Sequence, residues 1–522
     1  MITVSIFDIV IEAVYNAPIA LAVLVATIYY FGLVIQRLVL SPVAKFPGPK
    51  LAAATFWYEF YFDVVKRGSY FREIAKMHQK YGPVVRINPH ELHVDDPNFY
   101  SILYTGPTSK RHKWPWAAKM FGNNTSTFST VLHDHHRVRR AALNPLFSKP
   151  AIQRLEPMIQ STMYQLCGRL DTFSECGKVL DLGLAFAVFA ADVISEYCFG
   201  GSFGLLGDPD FAPDWVDEVA APSELGHLVK QCPFVIPLFR LAPGHFVKWI
   251  APSIDRLYTI QEVCSQHLLH AMGIQVQNLL EKKRAKDAVV AQTCVFDALL
   301  AGSLPAHEKT VERLKGEGQT LIGAGTLTTA NVLKTIVFHC LDNPLILQTL
   351  LGELDMEFPD PTLTVDLRSL EKLPFLTACI TEALRLAYGV THRLQLIAPN
   401  ESLKIHGMEI PPGTPVGMTS IFMHDNPIIF PEPRAFKPER WLDPEKRRYL
   451  SRYLVPFSQG TRMCLGMHLA WAEIYIVVGT IFRRYSLSLF ETSRDDIEMA
   501  RDFFDPSPKL DSNGLRVKIA KR

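Results

Sequence analysis

The chain carries almost no net charge, no CxxC pair, no internal repeat and no Gly/Ser-rich linker, and each absence removes a class of protein. Lys and Arg total 54 against 52 Asp and Glu, a formal +2, so the basic excess that marks a nucleic-acid surface is missing. Nine cysteines, an odd number scattered through 522 residues, do not form a disulfide framework. They suit a reducing compartment, where most serve as small buried hydrophobes. Without linkers or repeats, the simplest partition is one large domain behind a short anchor. Apolar residues make up 48% of the chain, ample for a large core.

What is present begins with an apolar run. Residues 17–35 contain no charged side chain, and as a helix they rise about 28 Å, close to the hydrocarbon thickness of a bilayer. Asp8 and Glu12 precede the run and Arg37 and Lys45 follow it, which orients the body of the chain to the cytosolic side. A cleaved signal peptide and a buried core helix are the competing readings. Against the first, the run is long, begins late and lacks a basic flank. The expected organisation is a short segment over 1–16, a transmembrane anchor over 17–36, a Pro/Gly-rich linker over 37–50, and the large domain over 51–522. On the cytosolic side, the Asn-x-Ser/Thr patterns at Asn123, Asn124 and Asn400 stay unglycosylated.

The body reads as mostly helical. Apolar residues recur at three and four over residues 151–170, 252–280 and 374–388. Short alternating segments over 84–94 and 403–416 predict small hairpins. The Pro-rich stretch 426–444 excludes a long helix or a central strand.

The most specific pattern is Phe457-x-x-Gly460-x-Arg462-x-Cys464-x-Gly466, standing just before a helical run. A thiolate at Cys464 can bind haem iron axially, and a following helix N-terminus favours a negative sulfur. Gly460 and Gly466 would let the backbone turn and approach a flat macrocycle. Phe457 can shield the sulfur, and Arg462 can neutralise a haem propionate. Five matched positions at fixed spacing make chance agreement rare.

The loop resembles the haem-binding signature of the cytochromes P450, and further family motifs follow in order. Glu382-Ala383-Leu384-Arg385 is similar to the family's ExxR, and with Arg440 it implies a structural Glu–Arg–Arg network. The stretch 321–329, LIGAGTLTT, resembles the I-helix motif, with Ala324 and Gly325 opening a substrate groove and Thr328 managing protons during oxygen activation. The acid usual before that threonine is replaced by Leu327. His136 and Arg140 match the family's WxxxR helix, His136 standing at the usual Trp, and both are expected at the propionates. Arg137 and Arg139 read as a solvated face. Arg393 is a further propionate candidate, Leu396 stands where a second arginine is common, and Val390 is expected in the pocket lining.

The resemblance implies a mainly α fold with small β sheets, with haem b between the I and L helices. It implies a monooxygenase held in the endoplasmic reticulum membrane by one span, its catalytic domain cytosolic. Electrons would come from NADPH through NADPH–cytochrome P450 reductase, docking near Arg434, Lys437, Lys446, Arg447, Arg448 and Arg452. A lipophilic secondary metabolite is the expected substrate, and similarity to the trichodiene-oxygenase-like group points to a terpenoid. Leu327 motivates one alternative, an isomerase or dehydratase that needs no external electrons. A non-catalytic haem-binding protein is the other.

Overall fold

The computed structural model describes residues 18–121, 125–235, 238 and 294–522. The expected helix over 252–280, Asn123 and Asn124, and the segment 1–16 lie outside the described residues.

Helix α1, Pro18–Ile35, continues into one π turn, Gln36–Leu40. Ile19–Leu40 has a mean hydropathy of 2.1 and no buried residue, which makes it a candidate membrane span. Behind it come α2 (Tyr70–Tyr81), α3 (His133–Leu143), α4 (Glu156–Cys176), α5 (Leu182–Phe199), α6 (Pro213–Gln231), α7 (Val311–Asp342), α8 (Pro374–Leu386) and α9 (Met467–Arg484). Helices α5 and α7 are also long and apolar enough to cross a membrane, but 83% and 61% of their most apolar stretches are buried. Their hydrophobicity serves the protein core, where they pack on each other, α5 also on α4 and α7 also on α9.

Local chemistry sets the boundaries. The expected helix over 151–170 breaks at Leu155, because Pro157 suits a new helix start, and α4 then ends on left-handed Gly177. Asp181 caps α5 by accepting from Gly183 N, and Thr310 caps α7 by accepting from Arg313 N. Helix α8 starts with Pro374 at its first turn and stops at Leu386, two residues before the expected end, since Tyr388 and Gly389 take positive φ.

Strands β1 (Val84–Arg86), β2 (Leu92–Val94), β3 (His112–Lys113), β4 (Leu396–Ile397) and β5 (Pro415–Gly417) form one sheet in the order β1-β2-β5-β4-β3. Lys113 lies directly opposite Leu396 across the antiparallel β3–β4 pair. A separate hairpin pairs Leu403–Ile405 with Met408–Ile410. The Pro-rich stretch carries only a 3-10 turn, Pro438–Trp441. Val43 and Phe46 are buried against Val84, Leu92 and Leu403, so the Pro/Gly-rich stretch is docked on the small sheet.

Candidate active site

Cys464 sits at the end of a 3-10 turn, Gly460–Arg462, three residues before α9. Its N–H donates to Phe457 O at 2.8 Å, which folds the loop back on itself. Gly460 takes φ +73, and a Cβ there would lie 2.1 Å from Thr105 O. Only glycine fits that approach. Gly466 differs: its φ is ordinary and no protein atom lies near a built Cβ. Phe457 is half-buried against the main core. Cys167, Cys198, Cys294, Cys340 and Cys379 are buried as small hydrophobes, whereas Cys464 is exposed. Burial by surrounding atoms still pushes its thiol up, while the backbone at Gly466 and the Arg140 guanidinium pull it down. A coordinated metal ion removes such a proton outright.

Beside this loop basic groups gather, and among the described residues Arg462, His136 and Lys113 have no ion-pair partner. Arg462 donates to Thr130 O at 2.8 Å and Val131 O at 2.9 Å, but its Nε is enclosed with no partner. His136 is buried, and its Nδ1 is equally unpartnered. Lys113 donates to Phe128 O at 2.6 Å and lies 3.2 Å from that ring's centroid. Burial, then Arg462, Arg140 and Lys113, push His136 down to about 2. Burial pushes Arg462 down to about 10, and burial plus Arg462 lower Lys113. Buried cations with spare donors call for an anion. The two propionates of a haem, whose iron Cys464 would hold, fit this donor set. Arg140 joins by its proximity to Cys464, its Nε resting on Asn144 Oδ1 at 2.7 Å. Lys113 was hidden in the sequence because nothing marks a lone lysine in a two-residue strand.

Helix α7 separates its threonines. Thr326 and Thr329 are buried, whereas Thr328 is half-buried and Ala324, one turn earlier, is exposed. Thr328 Oγ1 donates to Ala324 O at 2.8 Å, leaving its lone pairs outward. Gly325 does not belong to that open face, contrary to expectation: a Cβ there would meet Ile194 of α5 at 3.0 Å, so it serves close helix packing. Leu327 packs against the main core. Sequence reasoning also passed over Glu473 in the apolar run of α9. It is buried beside Thr329 with Oε1 unpartnered, and burial pushes its carboxyl up to about 8.

Other arginines are satisfied within the protein. Arg385 bonds Glu382 at 2.8 and 2.9 Å, Arg440 Nε reaches Glu382 Oε1 at 3.2 Å, and Trp441 Nε1 donates to Glu382 Oε2 at 2.9 Å. Arg385 also donates to His424 O, Pro433 O and Ala435 O, which ties the Pro-rich meander to α8. Arg393 corrects the propionate expectation: its Nη2 donates to Glu59 at 2.5 Å and its Nε to Glu91 at 2.9 Å. Two buried carboxylates hold it, and Val390 is half-buried. Arg139 corrects the solvated reading, since it pairs with buried Glu308 at 2.8 Å. Of the basic face, Arg434 pairs with Asp425 and Lys437 with Glu432. Lys446, Arg447, Arg448 and Arg452 are exposed, with no ion pair among the described residues.

The cytochrome P450 family model matches residues 47–511. A tryptophan 6-hydroxylase of Fusarium equiseti is 66% identical over 501 residues, covering 96% of each chain. An N-acetyltryptophan 6-hydroxylase of Emericella nidulans is 56% identical, covering 98% of this chain and 99% of its own. A fusicoccadiene C-8 hydroxylase of Phomopsis amygdali is 38% identical over 93% of each. A crystal structure of a cytochrome P450 superposes with a TM-score of 0.68 at 18% identity, over 86% of this chain and 94% of that one, which shows the fold. With a cysteine loop, a buried Glu–Arg network and full-length relatives named as hydroxylases and monooxygenases, the chain belongs to the cytochrome P450 family, as one of its monooxygenases.

Proposed function

We propose that the enzyme hydroxylates the indole ring of a tryptophan-type substrate. The full-length 66% identity to a tryptophan 6-hydroxylase carries this reading. One oxygen atom of dioxygen enters an aromatic C–H bond and the other leaves as water, with two electrons and two protons consumed. Haem, when bound, supplies the iron at which dioxygen is activated. Cys464 holds that iron. Arg462, His136, Arg140 and Lys113 hold the propionates, and Gly460 and Gly466 with Phe457 shape the loop around the sulfur. Thr328 holds and passes a proton at Oγ1 on the open face beside Ala324. NADPH–cytochrome P450 reductase delivers the electrons at the exposed Lys446, Arg447, Arg448 and Arg452. Helix α1 anchors the protein in the endoplasmic reticulum membrane, and residues 51–522 form the cytosolic catalytic domain.

A terpenoid substrate is the second reading, favoured by the 38% identical fusicoccadiene hydroxylase. Incubating the reductase-coupled enzyme with tryptophan, N-acetyltryptophan and a diterpene hydrocarbon separates them. Gain of one oxygen on the indole ring is the expected product. Oxidation of the diterpene alone would replace the indole reading with the terpenoid one.

A further inference from the structure

Strands β6 (Arg501–Phe503) and β7 (Asp505–Ser507) form a hairpin whose tip is Phe504. Phe504 takes φ +75, a left-handed conformation that L side chains rarely adopt. Four hydrogen bonds hold it there. Its N–H donates to Asp502 Oδ1 at 3.0 Å, and its carbonyl accepts from Thr391 N, Thr391 Oγ1 and His392 N at 2.9, 3.1 and 3.3 Å. A strained residue so over-determined points to a positioning role. The ring it positions meets Phe121 and Phe128 edge-on, with centroids 4.8 and 5.8 Å away. Asn331 of α7 donates to Pro506 O at 3.4 Å, and Asn331 lies three residues after Thr328 on the same helix side. Pro506, two residues past the tip, is thereby tied to α7 one turn from the open threonine.

Two polar atoms beside this aromatic wall have no partner. Asp505 Oδ2 accepts only a long bond from Ser223 Oγ of α6, at 3.5 Å, and its Oδ1 is enclosed and unpartnered. His392 Nδ1 lies 3.4 Å from Asp502 Oδ2, so the proton sits on Nδ1 and the enclosed, unpartnered Nε2 presents a lone pair. Burial pushes His392 down to about 3, which keeps it neutral. Burial and the neighbouring Asp502 push Asp505 up to about 7, and no basic side chain offsets it. Lys230 and Arg393 are already committed to Glu59 and Glu91. Among the described residues, His392 Nε2 and, when ionised, Asp505 Oδ1 are thus two acceptors next to Phe504 that no protein donor meets. A hydrocarbon would bury both acceptors unsatisfied, whereas an ammonium group brings three N–H donors and a positive charge.

We infer that the enzyme takes an indole substrate with a free side-chain ammonium, held by Asp505 and His392 while Phe121, Phe128 and Phe504 wall the ring. This rests on the indole reading above and specifies it: the free amine rather than an N-acyl derivative. Calorimetric titration of the holoenzyme with tryptophan, tryptamine, N-acetyltryptophan and indole-3-propionate tests it. The two amines should bind at least about tenfold more tightly than the two compounds without an ammonium. Asp505→Asn should reduce that preference to less than about threefold, Asp505→Glu should restore part of it, and Phe504→Ala should weaken all four ligands alike. Equal binding of all four by the wild type, or an undiminished preference in Asp505→Asn, overturns the inference and leaves the indole reading intact. No binding of any indole sinks both.

Discussion

Two arginine clusters flank the cysteine loop, and they differ in what completes them. Around Glu382, Arg385 and Arg440 are buried and their donors meet Glu382 or meander carbonyls, with Trp441 closing the set. Around Cys464, Arg462 and Lys113 are equally enclosed beside a neutral His136, yet among the described residues none of the three has an ion-pair partner. The first cluster is finished by the chain and holds the fold. The second is finished only by an anion from outside. Burial and residue type are alike; the location of the acid separates scaffold from binding site.

Substitutions can break that contrast. The largest effect is expected for Glu382→Gln, which leaves two buried guanidinium groups undercompensated and should cost about 3–5 kcal/mol by urea unfolding. A cost below about 1 kcal/mol would place this cluster with the incomplete one. Lys113→Met should act in opposite directions on two measurements. It removes a desolvated ammonium, so the apoprotein should be unchanged or stabilised by up to about 1–2 kcal/mol. Meanwhile haem should pass to an acceptor apoprotein about tenfold faster, through loss of a charge-assisted contact. Equal losses of stability and haem retention would make Lys113 structural.

Acid sensitivity supplies a third test. His136 in the folded apoprotein is pushed down to about 2, so below the ordinary histidine value the unfolded chain binds a proton that the folded chain refuses. Stability contributed by neutral His136 is therefore present above about pH 6.5 and lost as pH falls. Between pH 6.5 and 5.0, His136→Leu should lose about 1–2 kcal/mol less than the wild type, by pH-dependent chemical denaturation. Parallel curves would contradict the assignment. The smallest effect on the fold is expected for Thr328→Ala, within about 0.5 kcal/mol. Its consequence is functional: peroxide released for NADPH consumed should rise, and unchanged coupling would remove Thr328 from proton handling.

Much of this was legible in the sequence where signals are local. The cysteine loop packs five informative positions into ten residues, and Glu382 with Arg385 lies on one helix turn. The helical class followed from apolar spacing, and the short hairpins from Gly and Pro punctuation. Long-range pairing was not legible. Arg393 resembles a propionate ligand until Glu59 and Glu91, some three hundred residues away, are seen to take it. Gly325 resembles a groove residue until Ile194 is found against it. Lys113 and Glu473 matter through burial, which no spacing reports. The terpenoid expectation rests on similarity to a family subgroup, which does not identify a substrate.

The central claim is that Cys464 belongs to the incomplete cluster: it serves a bound haem and not the fold. Reduced carbon monoxide difference spectra of wild type and Cys464→Ala, taken with urea unfolding of both apoproteins, test this most directly. A strongly red-shifted Soret band is expected in the wild type and none in the variant, with apoprotein stabilities within about 1 kcal/mol of each other, as for an exposed side chain. A red-shifted band that survives loss of the sulfur would contradict it.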